Sequence, residues 1–486
     1  MVLENPGTSV PLGANQTKRA KQLYYPLLFL DSVQNCCQHA IARKAADVPP
    51  NPNQSSEADF RTLVNKLAHI CDNKPAGETV TALAVLQVDG RITYAFASNS
   101  RKRPNLIKTK DELKSVLDIL KANLEAEKKD SDQVLFDRLL NQILHLNNVR
   151  VQAYLTHLTK DLAACITACE GEVDEESKRS SQELQKLQDM IPDTKKTGQT
   201  SETYKAAVIR CIQTIEQYRK SPLQQFIKKK AATEEKLRKN KTPWSGLHHV
   251  GGRLLSYAYD AETLVSAHHM WEDSDLFRDF DVNFLDSSQS NLPKPLEFAP
   301  KSIEDLITDM PAGTCSAREK KSLIQHAAEL RKYDLDKVLE RQWQRKLSPI
   351  VHAEMILHDW LSRTPGGVQS SRFFGGWQYI GTSKPVCRLC RYYFDIIATP
   401  VHFRDGHPNS YVNWRLPDIR PQSNRPQDMQ QANDDWCKVM DQIKTKIYAD
   451  LRRVLETQKT DQKMNDSNTY TDRLTLGGLL MNSGRQ

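Results

Sequence analysis

Two stretches of the sequence, PIVHAEMILHDWL at 349–361 and YIGTSKPVCRLC at 379–390, decide how the rest of the chain is interpreted. The first carries His352, and the second ends in a Cys-x-x-Cys motif formed by Cys387 and Cys390. Imidazole and thiolate groups are the usual protein ligands of zinc, and a catalytic site uses three of them. These residues therefore predict a Zn²⁺ site with three protein ligands and a fourth position open to water.

Glu354 follows the histidine by two residues, so its carboxylate can reach a water in the fourth position while the imidazole binds the metal. A carboxylate held there can take a proton from the water and pass protons on. In hydrolytic deamination, hydroxide attacks the amidine carbon of a cytosine or adenine ring, and protons go to a ring nitrogen and the leaving ammonia. The pattern predicts Glu354 as the catalytic residue of such a reaction.

The segments around these residues have helical or extended patterns. An apolar repeat predicts a helix over 350–362, which Pro365-Gly366-Gly367 ends, and residues 376–382 are typical of a strand. Residues 386–397 follow as a helix whose first turn carries both cysteines. Two cysteines three apart at a helix N-terminus converge on one face, and the helix dipole favours their thiolates.

An earlier unit has its own layered pattern. Residues 59–72 repeat apolar side chains at helical spacing, and the β-rich runs 78–88 and 91–98 flank the two-residue turn signal Asp89-Gly90. A helix and a hairpin cannot bury both faces of their sheet alone. We therefore expect this unit to share one mixed sheet with residues 349–416, because the ends of a tolerated insertion must lie close together.

Composition restricts the class of protein. The chain has 486 residues, a net charge of +8 and ten cysteines without regular spacing, which indicates a reducing, intracellular location in the cytoplasm or nucleus. We expect no secretory signal and no membrane association, because no segment approaches the roughly 20 apolar residues of a membrane span. The sequence leaves the oligomeric state open.

Most of the net positive charge lies in residues 219–241, where nine Lys or Arg stand against two Glu. A solvated helix face is the default interpretation of such a run. A nucleic-acid contact or a nuclear-import signal is the alternative. The long helical block that contains this run also suggests a protein partner on its surface.

These elements, in this order, resemble the cytidine deaminase-like superfamily, and most closely its fungal branch of OTT_1508-like deaminases. The sequence landmarks of that branch are Val80–Leu86, His248–Leu254 and Tyr379–Lys384, in addition to the histidine and cysteine motifs. The resemblance covers most of 59–416. One departure is Val386, which stands where the superfamily has proline directly before the first cysteine.

The resemblance implies a three-layer α/β/α deaminase-like sandwich with a large all-helical insertion between the first hairpin and the catalytic helices. It implies zinc ligation by His352, Cys387 and Cys390, proton transfer by Glu354, and substrate contacts by three further residues, Asn99, Ala353 and Ser383. The resulting division of the chain is an N-terminal helical or flexible segment at 1–58, a first deaminase-like part at 59–100, a helical insertion at 101–348, a catalytic part at 349–420, and a C-terminal helix with a flexible tail at 421–486.

Three other interpretations of the motif remain open. The Cys-x-x-Cys could be a redox dithiol. It could be a structural zinc site completed by a fourth ligand, for which the available histidines are His358, His402 and His407. The fold could also be an inactive binding or scaffolding module with a zinc site.

The substrate that this chemistry implies is a nucleobase, and the sequence leaves open whether it lies in nucleic acid or in a free nucleoside or nucleotide. Aromatic residues near the motif could stack on a base or simply pack; they are Phe373, Phe374, Trp377, Tyr411 and Trp414.

Overall fold

The computed structural model describes residues 2–3, 9–41, 56–75, 77–192, 202–219, 221–237, 243–288, 296–421, 425–462 and 479–483. Within these ranges the chain is a mixed α/β structure. The helices are α1 Ala14–Cys36, α2 Ser56–Cys71, α3 Arg103–Glu125, α4 Asp132–Leu146, α5 Asn148–Glu170, α6 Glu175–Asp189, α7 Glu202–Arg219, α8 Pro222–Leu237, α9 Pro243–Met270, α10 Ile303–Thr308, α11 Ala317–Arg331, α12 Leu335–Trp343, α13 Ala353–Arg363, α14 Arg388–Ile397, α15 Pro426–Thr457 and α16 Leu479–Asn482. The strands are β1 Val2–Leu3, β2 His39–Ala40, β3 Thr81–Val88, β4 Arg91–Ser98, β5 Phe280–Leu285, β6 Tyr379–Thr382, β7 His402–Phe403 and β8 Lys459–Thr460.

The main sheet has the order β1-β5-β4-β3-β6-β7 and mixes parallel and antiparallel pairs. Its centre is the hairpin β3–β4, whose turn residues Asp89 and Gly90 both have positive φ, 51° and 78°. Two left-handed residues give the turn a twist that matches the flanking strands. The hairpin signal in the sequence therefore predicted this element correctly.

The catalytic segment joins the same sheet through β6. Ala82 of β3 pairs with Thr382, and Leu83 pairs with Gly381, in antiparallel register. Strand β7 then extends the sheet beyond β6 in parallel. The expectation that residues 59–98 and 349–416 share one mixed sheet is confirmed.

The prediction that residues 101–348 are all-helical is wrong, because they contain β5. This strand pairs in parallel with β4, with Val282 opposite Tyr94 and Phe284 opposite Phe96. Without β5, one edge of the hairpin would present unpaired backbone N–H and C=O groups. The partner strand β4 lies far away along the chain, so no local pattern in the sequence predicts this pairing.

Helices cover both faces of the sheet. Side chains alternate along a strand, so Leu83 and Val85 of β3 enter a core shared with α2, α3 and α9. Ala82 and Ala84 face a second core, to which α1 and α13 contribute. The small alanines let α13, the helix that begins at the histidine motif, contact both β3 and β4.

The two terminal segments pack against each other. Helix α1 contacts α15, and its residues Leu23 and Leu27 are fully buried. Strand β2, which follows α1, pairs in parallel with β8 after α15. Helix α1 of the N-terminal segment therefore packs into the core, and the predicted C-terminal helix is present as α15. The tail predicted to be flexible lies mostly in 463–478, outside the described residues.

No helix in the described part of the chain combines the length and the hydropathy that a bilayer crossing requires.

A close contact between β6 and α2 gives a test of the fold. A Cβ atom on Gly381 would lie 2.7 Å from Val64 Cγ1 and 2.8 Å from the Val64 carbonyl carbon. Gly381→Ala should therefore push α2 away from the sheet and lower the free energy of unfolding by about 1–3 kcal/mol. Urea unfolding of the purified variant measures this change.

The matched control is Gly313→Ala, because a Cβ atom there meets no atom within 4 Å. Equal stability of the two variants would contradict the close packing of α2 on β6.

Candidate metal centre

The site forms where the N-termini of two helices meet. His352 directly precedes α13, and Glu354 lies in the first turn of that helix. Cys387 directly precedes α14, and Cys390 lies in its first turn. Helix N-termini carry unpaired N–H groups and a positive partial charge, which stabilise thiolates and carboxylates placed beside them.

The three predicted ligands are close together. His352 Nδ1 lies 3.5 Å from Cys387 Sγ and 3.3 Å from Cys390 Sγ. The three ligand atoms lie within 4.8 Å of one another, and all three residues are buried. One imidazole nitrogen and two thiol sulfurs at such distances can hold a metal ion of borderline softness.

The histidines considered as a fourth ligand are directed elsewhere. His358 Nε2 is 2.8 Å from Thr399 Oγ1, and His407 Nδ1 accepts the Asn409 N–H at 3.1 Å. His402 is exposed on β7. Among the described residues, no fourth His, Cys, Asp or Glu joins the three ligands. In the described part of the chain the donor set therefore has three members, the number that catalytic zinc sites take from the protein.

The surroundings of the two thiols shift their pKa values in opposite directions. Burial opposes ionisation of Cys387, but the hydrogen bond from Cys390 and the charge of His352 outweigh it and hold the pKa of Cys387 well below its usual value. Burial, together with the hydrogen bond to the Cys387 thiolate, raises the pKa of Cys390 well above its usual value. The site therefore readily holds one thiolate, as a metal ligand requires.

Glu354 is 4% exposed and lies beside these groups. Burial raises the pKa of its carboxyl, and the charge of His352 partly opposes that shift. A carboxyl with a raised pKa can both accept and release a proton nearer to neutral pH than an exposed glutamate. This is the property that the sequence-based assignment of Glu354 requires.

Asn99 lies at the site but acts on the protein backbone. Its Oδ1 accepts the Ala353 N–H at 2.9 Å, and its Nδ2 donates to the Gly77 carbonyl at 3.0 Å. The asparagine thus satisfies the first N–H group of α13 and holds the loop before β3. The predicted substrate residues Asn99 and Ala353 therefore lie side by side, and the Asn99 side chain is hydrogen-bonded to the Ala353 backbone N–H.

Ser383, the third predicted substrate residue, extends the β3–β6 pairing. Its Oγ accepts the Thr81 N–H at 3.1 Å, and its own N–H donates to the Thr81 carbonyl at 2.9 Å. The side chain is fully buried. These bonds fix the chain four residues before Cys387.

Sequence reasoning missed the role of Trp414, which it treated as a base-stacking candidate. The side chain is fully buried, and its indole N–H lies 3.2 Å from both Cys390 Sγ and Met355 Sδ. Its carbonyl accepts the Tyr24 hydroxyl of α1 at 2.9 Å. A donor directed at a ligand sulfur stabilises negative charge on it and orients it.

The other aromatic candidates differ in position. Phe373 and Phe374 are buried, and the Phe374 ring stacks on Phe60 of α2 at 5.5 Å. Trp377 also packs on Phe60, with ring centroids 5.0 Å apart. Tyr411 is half-buried, and its ring centroid is 6.1 Å from that of His352. Of the aromatic candidates, Tyr411 is therefore the one beside a ligand ring and still partly accessible.

Two serines that follow β5 also support the site, and nothing in the sequence distinguishes them from other loop serines. Ser288 Oγ accepts the Val351 N–H at 2.8 Å and lies 3.3 Å from the Val351 carbonyl. Ser287 Oγ donates to the Ser98 carbonyl at 2.6 Å. The segment 101–348 thus holds the backbone immediately before His352.

Residues 351–418 match the sequence profile of the OTT_1508-like deaminase family. The matched segment contains all three ligands of the site and Glu354. No curated protein and no solved structure matches the chain significantly.

The contact between Asn99 and α13 predicts a stability effect. Asn99→Ala leaves the buried Ala353 N–H without its acceptor, and an unsatisfied buried donor costs about 1–3 kcal/mol. Asn99→Asp keeps an acceptor for the Ala353 N–H but loses the donor to the Gly77 carbonyl, so it should recover only part of the loss. Thermal and urea unfolding measure both effects. Equal unfolding free energies for the wild-type protein and Asn99→Ala would contradict the helix-supporting role of Asn99.

Proposed function

We propose that this chain, whose residues 351–418 match a deaminase family profile, is a zinc-dependent hydrolytic deaminase of cytosine- or adenine-type nucleobases. The observation that carries the proposal is the convergence of His352, Cys387 and Cys390 within 4.8 Å, with the buried carboxylate of Glu354 in the adjacent helix turn. Such a donor set and a neighbouring carboxylate are the two requirements of this chemistry.

The proposal includes the fold. We infer that residues 59–100 and 349–420 form the three-layer α/β/α deaminase-like sandwich and that 101–348 is an insertion into it. The mixed sheet with helices on both faces supports this inference. The ends of the insertion are also close, since Asn99 Oδ1 and the Ala353 nitrogen are 2.9 Å apart.

Zinc suits the donor set best, because one imidazole nitrogen and two thiolates leave one tetrahedral position open. When bound there, zinc would supply a water of lowered pKa for attack on the amidine carbon. The positive ends of α13 and α14 add to the stabilisation of the two thiolates.

Glu354 performs the proton transfers in this proposal. Its carboxylate accepts a proton from the attacking water and delivers it to the ring nitrogen of the base. It then carries the second proton to the amino group, which leaves as ammonia. Burial raises the pKa of the Glu354 carboxyl. A carboxyl with a raised pKa accepts a proton more readily than an exposed glutamate does, and it can still release that proton.

Two features bear on the substrate. Tyr411, beside the His352 ring, offers an aromatic face to a flat base. In the basic run, Lys228 and Lys229 are exposed on α8, whereas Lys230 pairs with Glu172 at 2.7 Å. An exposed pair of this kind favours nucleic acid over a small nucleoside. Residues 220 and 238–241 of the run lie outside the described ranges.

The competing proposal is an inactive deaminase-fold module that binds a protein or nucleic-acid partner through residues 101–348. The size of that segment favours a macromolecular partner. The two proposals differ in what they require of Glu354, since only an enzyme needs its proton transfer.

Metal analysis tests the site. We expect about one zinc per purified chain, and Cys387→Ala should lose it, because two ligands are too few for a catalytic site. The control is Cys437→Ala, which changes a half-buried cysteine of α15 and should keep the metal. Full zinc content in the Cys387→Ala protein would exclude the proposed ligand set.

A single substitution separates enzyme from binding module. Glu354→Gln should keep zinc and melting temperature, because Glu354 is not one of the converging ligands, but Gln cannot accept the proton of the water. Turnover should fall by about 10²–10⁴-fold or more. The assay is ammonia release from free bases, nucleosides, single-stranded DNA and RNA.

The matched control is Asp395→Asn, which removes an exposed carboxylate on α14 and should leave turnover unchanged. Turnover retained by Glu354→Gln would exclude it as the proton carrier. A wild-type protein that holds zinc but releases no ammonia from any of these substrates would favour the binding module.

A further inference from the structure

We propose that Arg388 is a positioning residue for the metal-binding turn and that Asp450 and Asp461, from the C-terminal segment, hold it in place. The inference rests on the proposed metal site and concerns how the chain keeps its two cysteines in register. It extends the functional unit beyond residue 418, where the family match ends.

Arg388 lies between the two cysteine ligands, at the first position of α14. Its side chain is 5% exposed, although arginine is rarely buried without partners. Nη1 is 2.6 Å from Asp450 Oδ2, and Nη2 is 2.5 Å from Asp461 Oδ1. Nε donates to the Pro408 carbonyl at 2.7 Å. All three nitrogens of the guanidinium are thus engaged on three different segments.

The two carboxylates are themselves fixed. Arg453 Nη2 lies 3.2 Å from Asp450 Oδ1 and 2.7 Å from Asp461 Oδ2, so it bridges them. The Tyr392 hydroxyl donates to Asp450, and Gln34 Nε2 of α1 donates to Asp461 at 3.1 Å. Two arginines face two aspartates in this network, so its charges balance. It connects α1, α14 and α15.

The position of Arg388 indicates that its contacts orient the metal-binding turn as well as stabilise the fold. The backbone N–H of Arg388 donates to the Asn409 carbonyl at 3.1 Å, so both the main chain and the side chain of this residue are held. Cys387 and Cys390 lie on either side of it in the same turn. A rotation of Arg388 would therefore displace both sulfur atoms relative to His352.

The ion pair of Asp441, which also lies on α15, has no such connection. Asp441 pairs with Arg19 of α1, with both side chains more than 40% exposed. This pair joins α1 to α15 and includes no residue of the metal-binding turn. It gives a control with the same chemistry in the same helix.

The experiment compares Asp450→Asn, Asp461→Asn and the double variant with Asp441→Asn in the full-length chain. Asparagine keeps the shape and one acceptor, but it removes the charge that compensates the buried guanidinium. We therefore expect these variants to be less stable than wild type, and the double variant most of all. Two measurements report on the site: zinc affinity by competition with a chromophoric chelator, and the visible absorption of the protein loaded with Co²⁺, which reports ligand geometry. The melting temperature of the metal-free protein reports stability.

We expect the double variant to bind zinc about 10–100-fold more weakly than wild type and to have a changed Co²⁺ spectrum. Each single variant should show a smaller change, and Asp441→Asn should show none. Arg388→Lys should resemble a single variant, because an ammonium group keeps the charge but cannot form the planar fork that reaches both carboxylates.

Unchanged zinc affinity and an unchanged Co²⁺ spectrum in the double variant would overturn the inference, even if its melting temperature falls, because that result describes a purely structural network. If the double variant does not fold, the single variants and Arg388→Lys decide by the same criteria. Failure of the wild-type protein to bind zinc would instead refute the proposed function.

Discussion

The short antiparallel pairing of β6 with β3 is the constraint on which the site depends. It consists of Ala82 opposite Thr382 and Leu83 opposite Gly381, and the backbone bonds between Thr81 and Ser383 extend it. Strand β6 leads directly to the cysteine turn, while α13 with its histidine packs on β3 and β4. If this pairing slipped by one residue, the side chains of β6 would change faces, and the cysteines would no longer meet the histidine.

The long segment between hairpin and histidine is built into this arrangement. It supplies β5 beside β4 and Ser288 beside Val351. It also supplies Asp260 of α9, whose Oδ1 lies 3.5 Å from Lys66 Nζ on α2, with both side chains buried. Removing one partner of a buried ion pair leaves an uncompensated charge and is strongly destabilising. Residues 101–348 therefore contribute a strand to the sheet and contacts that hold α2. We expect the remaining residues not to fold stably without them.

The terminal segments have a comparable role on the other face. Tyr24 of α1 donates to the Trp414 carbonyl, and the indole of Trp414 is directed at Cys390 Sγ. Asp450 and Asp461 hold Arg388 in the same turn. The ligands thus receive support from both ends of the chain, although the family match covers only 351–418. Metal-binding turns need such outer contacts, because ligand orientation determines affinity and reactivity.

The sequence by itself determined the local elements. It singled out His352, Cys387 and Cys390, which the structure brings together, because metal-ligand chemistry depends on residue type and short spacing. It predicted the hairpin because Asp89-Gly90 permits few other turns. The contacts that hold these elements were decided only by the tertiary structure. The parallel partner of β5, the bond from Asn99 to Ala353, the direction of the Trp414 indole and the two carboxylates on Arg388 all join residues far apart in the chain. Periodicity describes the face of one helix or strand, and it contains no information about which distant polar group will meet that face when the core closes.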